Sequence, residues 1–155
     1  MDLSKPAQVK NLMRRGLRLL VDPGVTPAER RRVCAFFEDQ CACCGARLDG
    51  KGDLDHLVPT AKDGSNHISN RVVSCGGCNA KEKLDSDWLE FLAIKCACDD
   101  GLFERRRKRI EQWIAECGSA RAVPESTLRI VREESHRITA EYDVAVRRIR
   151  GAQRR

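Results

Sequence analysis

The sequence predicts an α+β fold, with a small core embedded in helices at its N- and C-terminal ends. Three observations predict it. Two C-x2-C pairs, Cys41 with Cys44 and Cys75 with Cys78, stand thirty residues apart. A short β-branched run, Val72-Val73, lies inside that frame. Apolar residues recur at helical spacing on both sides of it. A chain of 155 residues is one domain, or a small core with helical additions. The pattern divides it into a helical region over 1–40, a core over 41–84 and a second helical region with a basic tail over 85–155.

The N-terminal region opens with Val9, Leu12, Met13, Gly16 and Leu20 at helical period, and Val21-Asp22-Pro23-Gly24 ends that helix. Thr26-Pro27-Ala28-Glu29 then has the form of a capping box with proline at the first helical position. The helix it opens carries Val33, Phe36 and Phe37 toward a core and delivers the chain to the first cysteine pair.

Each C-x2-C lets two thiolates converge on one cation from a single tight turn, and Gly45, Gly76 and Gly77 offer the backbone freedom such a turn uses. Four thiolates close a tetrahedral shell and leave no position for water, so this zinc is structural. Cys43 lies inside the first pair and could in principle exchange with a neighbour, but spacing favours Cys41 and Cys44, because Cys43 adjoins Cys44 and the two do not easily bind one ion together. Nothing resembles a secretory signal, and the chain is long enough to build a core without disulfide staples, so reduced thiols and a cytoplasmic location are expected.

Beyond the core, Trp88, Phe91 and Leu92 form one apolar face, and Leu102, Ile110, Trp113, Ile114 and Cys117 form another. Cys96 and Cys98 make a C-x-C without a nearby partner pair, and with Cys34 and Cys117 they read as reduced core thiols. The last helix, opened by Pro124-Glu125, carries Leu128, Val131, Ser135, Ile138, Tyr142, Ala145 and Ile149 in alternating steps of three and four. This stripe fits either packing on the N-terminal helices of the same chain or a homodimer seam.

Inside the cysteine frame, Asp53-Leu54-Asp55-His56-Leu57-Val58-Pro59 is followed by Asn70 and by Asn79, which directly succeeds Cys78. The pattern D-H-x13-N-x8-N resembles the HNH endonucleases, in particular their cysteine-framed branch and the HNH domain of RNA-guided CRISPR nucleases. The resemblance spans roughly Cys41 to Leu84. It implies a ββα-metal core with the Asp-His pair on one strand, Asn70 at the start of a second strand and Asn79 on a short helix. It also implies that Asn70 holds the imidazole in its working orientation. Asn79 departs from the family's founding pattern, which ends in histidine. A phage or bacterial origin is implied as well.

The residues themselves carry the chemistry. His56 can be neutral near pH 7 and accept a proton from water. Asp55, its neighbour on a strand, points to the opposite face, so it is assigned to a cation. Asn79 adds a neutral amide oxygen, and two hard ligands with open positions suit Mg²⁺ or Mn²⁺ better than zinc. With the substrate the resemblance implies, the expected reaction is hydrolysis of DNA, leaving a 5′ phosphate and a 3′ hydroxyl. Asp53 reads as loop charge and His67 as a solvated loop histidine, while His136 lies on a predicted helix and carries no motif.

Charge is unevenly placed. Residues 41–100 hold 7 Lys and Arg against 10 Asp and Glu, a net of −3, so a chain of net charge +6 carries +9 on its flanks. Phosphate contact therefore falls to Arg30-Arg31-Arg32, to Arg105, Arg106 and Arg107 with Lys108 and Arg109, and to the tail from Arg147 to Arg155. Nearer the core, Arg47, Lys62, Arg71, Lys81 and Lys83 are candidates to position the DNA backbone. Two rival functions fit the same sequence: a zinc-framed nucleic-acid-binding protein without catalysis, and an RNase or toxin-like nuclease.

Overall fold

Helices dominate the chain, and one two-stranded antiparallel sheet supplies its β part, as the α+β expectation requires. The computed structural model describes residues 5–118 and 123–153. The described residues of Gly24–Arg121 form one compact unit, and those of Met1–Pro23 with Ala122–Arg155 form another.

In the Gly24–Arg121 unit, a helix over Pro27–Phe36 (α2; α1 lies in the other unit) starts at the expected capping box. Thr26 Oγ1 accepts from the Glu29 amide at 3.2 Å, and the Glu29 carboxylate accepts from the Thr26 amide at 2.7 Å. Two orphan donors are thus satisfied reciprocally. Strand β1 (Asp53–His56) pairs with β2 (Arg71–Ser74) in a register that sets Asp55 opposite Val72 and His56 opposite Arg71.

The intervening loop contains single helical turns at Thr60–Lys62 and Ile68–Asn70. It folds back so closely at Gly64 that a Cβ there would lie 1.8 Å from the Val58 carbonyl oxygen, which only glycine avoids. A π-helical turn over Cys78–Lys83 follows β2. Helices α3 (Trp88–Lys95) and α4 (Asp100–Cys117) then begin at Asp87 and Asp99, whose carboxylates accept backbone amides at 2.8 Å.

These helices share one core with the sheet. Val33 and Phe37 from α2 and its end, Val72 and Val73 from β2, Leu92 from α3, and Ile110 and Trp113 from α4 are buried together. Trp113 is fully buried. Its ring lies 4.9 Å from Phe36 and 6.0 Å from Phe37, and its indole N–H donates to the carbonyls of Arg71 (2.8 Å) and Ile68 (3.2 Å). A helix outside the cysteine frame therefore holds the first residue of β2, which faces His56.

In the other unit, α1 (Pro6–Leu19) packs on α5 (Glu125–Ala152), with Lys10 paired to Asp143 at 2.9 Å. The α5 stripe thus finds a partner inside the chain. The buried line differs from the expected one, however. Thr139 joins Leu128 and Ser135 in it, with its hydroxyl donating to the Ser135 carbonyl at 2.8 Å, while Ala145 and Ile149 are exposed. Leu12 and Leu20 are also exposed, because one helix-on-helix contact covers a narrower stripe than the apolar repeat. Arg154 and Arg155 of the expected basic tail lie outside the described residues. Among those described, no helix is long and apolar enough to cross a membrane.

Candidate metal and catalytic site

The four sulfurs of Cys41, Cys44, Cys75 and Cys78 lie within 4.8 Å of one another, and none of these cysteines is in a disulfide. A tetrahedral tetrathiolate zinc site has sulfur–sulfur edges of about 3.8 Å. The Cys44–Cys75 separation is 3.7 Å. The cluster can therefore hold a metal ion such as zinc.

The first pair turns tightly, with the Gly45 amide donating to the Cys41 carbonyl at 2.8 Å, and is tied to the sheet by the Ala42 amide on the Val73 carbonyl at 2.9 Å. Gly45 has φ +74° and supplies the left-handed conformation the turn needs. Gly76 and Gly77 do not. Gly77 has ordinary right-handed helical angles, and a Cβ at Gly76 would meet open space.

Charge in the cluster is shared. A hydrogen bond from the Cys43 thiol holds Cys41 down to about 3, against burial, whereas burial pushes the thiols of Cys44 and Cys78 up. A dication would remove the repulsion among four thiolates, with release of protons. Cys43 stays outside the cluster, as its adjacency to Cys44 requires. Cys98, expected in the core, is exposed.

His56 is half-buried at the end of β1. Arg71, its partner across the sheet, places Nη1 3.0 Å from the imidazole Nδ1. A guanidinium only donates, so Nδ1 carries the lone pair and the ring proton sits on Nε2. Nε2 in turn lies 3.0 Å from Asn66 Oδ1, which also accepts from Arg71 Nη2 at 2.6 Å. His56, Asn66 and Arg71 form a closed triangle.

Asn70 has a different task from the one the HNH resemblance implies. Its Oδ1 accepts from the Val58 amide at 2.8 Å, and its Nδ2 donates to the carbonyls of Val58 (2.9 Å) and Ser65 (2.8 Å). It pins the loop that presents Asn66 and does not itself reach the imidazole.

Asp55 is buried on the face of β1 opposite His56, as strand alternation demands. Its Oδ2 is buried without a hydrogen bond and lies 3.4 Å from the ammonium of Lys83, which also donates to the His56 carbonyl at 2.6 Å. Burial raises the Asp55 carboxyl above the ordinary carboxylate range, and Lys83 is the largest influence opposing it. Asn79 sits one residue after Cys78 on the π-helical turn, its amide donating to the Cys75 carbonyl at 3.0 Å.

Comparison of the chain with family models, curated proteins and solved structures finds no match in any of the three.

The cationic candidates separate by what they touch. Lys83 is 1% exposed and committed to Asp55 and His56, so it cannot meet a DNA backbone. Arg106 is half-buried, donates to the Cys43 carbonyl and lies against Gly45, so it supports the first cysteine turn. Arg107 is neutralised by Glu104 and Glu111 at 2.7 and 2.6 Å. Arg71 is engaged with His56 and Asn66. Arg47, Lys62, Lys81 and Arg105 are exposed, although Arg47 lies 3.8 Å from Asp49. In the Arg30-Arg31-Arg32 run, Arg30 donates to the Gly52 carbonyl and Arg32 stacks 5.4 Å over Trp113, and all three residues are exposed.

Sequence reasoning missed Asn66, because a loop asparagine carries no spacing signal. It misread Lys83 because a lysine near a turn ordinarily points to water.

Proposed function

We propose that the protein is a divalent-metal-dependent endonuclease of HNH type that hydrolyses DNA. The observation that carries this reading is the placement of His56 and Asp55 on opposite faces of one short strand, within a unit stapled by the Cys41–Cys44–Cys75–Cys78 cluster. The order of two short antiparallel strands and then a helical turn bearing Asn79 supports it.

Zinc would be held by the four cysteines and would act only on the fold. Asp55 and Asn79 would hold Mg²⁺ or Mn²⁺, and Asp55 Oδ2, which makes no hydrogen bond, is a hard donor suited to such an ion once the ion replaces the Lys83 ammonium 3.4 Å away. When bound, that ion supplies positive charge for the phosphorane and the departing oxygen.

His56 Nδ1 takes the proton of the attacking water as its oxygen forms the new bond to phosphorus. The bond from phosphorus to the 3′ oxygen breaks with its electron pair, and that oxygen gains a proton from solvent. The products are a 5′ phosphate and a 3′ hydroxyl. Asn66 holds the ring in the tautomer this requires.

Exposed Arg47, Lys62, Lys81 and Arg105 contact phosphates, with binding weakened by salt. One such site cuts one strand, so a monomer nicks, and a homodimer through α5 would cut both. The setting is the cytoplasm of a bacterial or phage-infected cell.

A second reading, nucleic-acid binding without catalysis, draws on the protein cations already paired with Asp55 and His56. Supercoiled plasmid and a matched RNA duplex, incubated with wild type and His56→Ala in EDTA, Mg²⁺, Mn²⁺ or Zn²⁺, separate the readings. Metal-dependent nicking that vanishes with His56→Ala is expected. Binding without cutting under every metal overturns catalysis, and preferential RNA cutting overturns the DNA assignment.

A further inference from the structure

We propose that Arg71 is a phosphate-operated latch on His56, closed in the free protein and drawn off the imidazole by a phosphodiester. The identity of the ligand rests on the nucleic-acid reading above; the closed latch rests on geometry alone.

The sheet register sets Arg71 directly across from His56, and the guanidinium spans two acceptors at once, His56 Nδ1 at 3.0 Å and Asn66 Oδ1 at 2.6 Å. While a donor occupies Nδ1, that nitrogen cannot take a proton from water. The ring's other nitrogen carries the proton given to Asn66, so the closed state has no base.

The three members differ in freedom. Asn66 is 7% exposed and belongs to the loop pinned by Asn70, and His56 is held in the strand. Arg71 has its backbone fixed by β2 and by the Trp113 indole on its carbonyl, so only its long side chain can move. The two acceptors in the triangle are a ring nitrogen and an amide oxygen, both neutral, while the guanidinium also attracts the Asp55 carboxylate from a distance. A phosphodiester offers two anionic oxygens at the spacing a guanidinium fork matches, and charge-assisted bidentate pairs are the stronger kind, so it competes for the fork against those two acceptors. After the exchange, Nε2–H remains on Asn66, the tautomer is kept, and Nδ1 faces the site beside the bound phosphate. The base becomes available only where there is something to cut.

The test uses the full chain with ¹⁵N-labelled histidine at fixed pH, with His56 signals identified by their loss in His56→Gln. In the free protein, His56 is expected as the Nε2–H tautomer with a hydrogen-bonded Nδ1. Arg71→Ala, and independently Arg71→Lys, whose single ammonium cannot bridge both acceptors as a fork, should move the Nδ1 signal to an uncapped position. Circular dichroism identifies whichever variant is folded.

A 12-base-pair DNA duplex without added Mg²⁺ or Mn²⁺, bound to saturation by fluorescence anisotropy, should move wild-type Nδ1 to that same position. An Nδ1–H tautomer in the free protein overturns the latch. So does saturated duplex binding that leaves the His56 signals in place, with the nuclease proposal untouched. Failure of the duplex to bind at all overturns the phosphodiester ligand and the DNA reading together. Loss of metal-dependent nicking in wild type, with the latch opening on DNA, overturns only catalysis.

Discussion

Replacing Lys83 by methionine keeps the volume of a buried side chain and removes its charge. The ammonium stands 3.4 Å from Asp55, with side-chain exposures of 1% and 9% for the two partners. At that distance and an effective dielectric constant of about 20, the attraction is about 5 kcal/mol. The charge-assisted bond to the His56 carbonyl adds about 1.5–3 kcal/mol. Desolvation of the ammonium offsets part of both, so the expected net loss is about 3–5 kcal/mol, the usual result of breaking a buried pair.

The loss has a pH signature. Burial already raises the Asp55 carboxyl with Lys83 opposing it, and without Lys83 the carboxyl rises further. A group whose folded pKa lies above its unfolded value destabilises the fold above that window, and the deficit is relieved as pH falls through the folded pKa. Urea unfolding of reduced Lys83→Met against wild type should show a larger deficit at pH 8 than at pH 5. Lys83→Met with Asp55→Asn should recover most of it. Equal stability of Lys83→Met and wild type at pH 8, or a deficit that does not change with pH, would refute the pairing as a source of stability.

Elemental analysis of freshly purified reduced protein should find one zinc per chain, lost in Cys75→Ser and kept in Cys43→Ser, because Cys43 lies outside the sulfur cluster. Trp113→Phe removes the donor to the Arg71 and Ile68 carbonyls and should cost about 1–3 kcal/mol in urea unfolding while the ring stacking persists. Gly64→Ala places a carbon on the Val58 carbonyl oxygen and should cost about 1–3 kcal/mol or displace the loop, read as loss of the Asn66–His56 bond in the histidine ¹⁵N spectrum. An unchanged unfolding midpoint for either variant would remove the contact named.

What the amino-acid sequence determined by itself is local. The spacing of each C-x2-C turn was enough to pair two sulfurs, because each turn is self-contained, and the fold then brings the two pairs together. The capping box at Thr26 was legible because its partners are three residues apart. Alternation along a strand was enough to separate Asp55 from His56.

Tertiary structure decided who touches these groups. Asn66 reaches His56 across ten residues, Lys83 reaches the His56 carbonyl across twenty-seven, and Trp113 reaches Arg71 across forty-two, each through a path that no spacing rule encodes. It also turned Lys83 from a surface charge into a buried support and Arg106 into a half-buried one. Side-chain hydrogen bonds form where packing brings donor and acceptor within about 3 Å. Local sequence constrains the direction of a few residues, but only the assembled core constrains that distance.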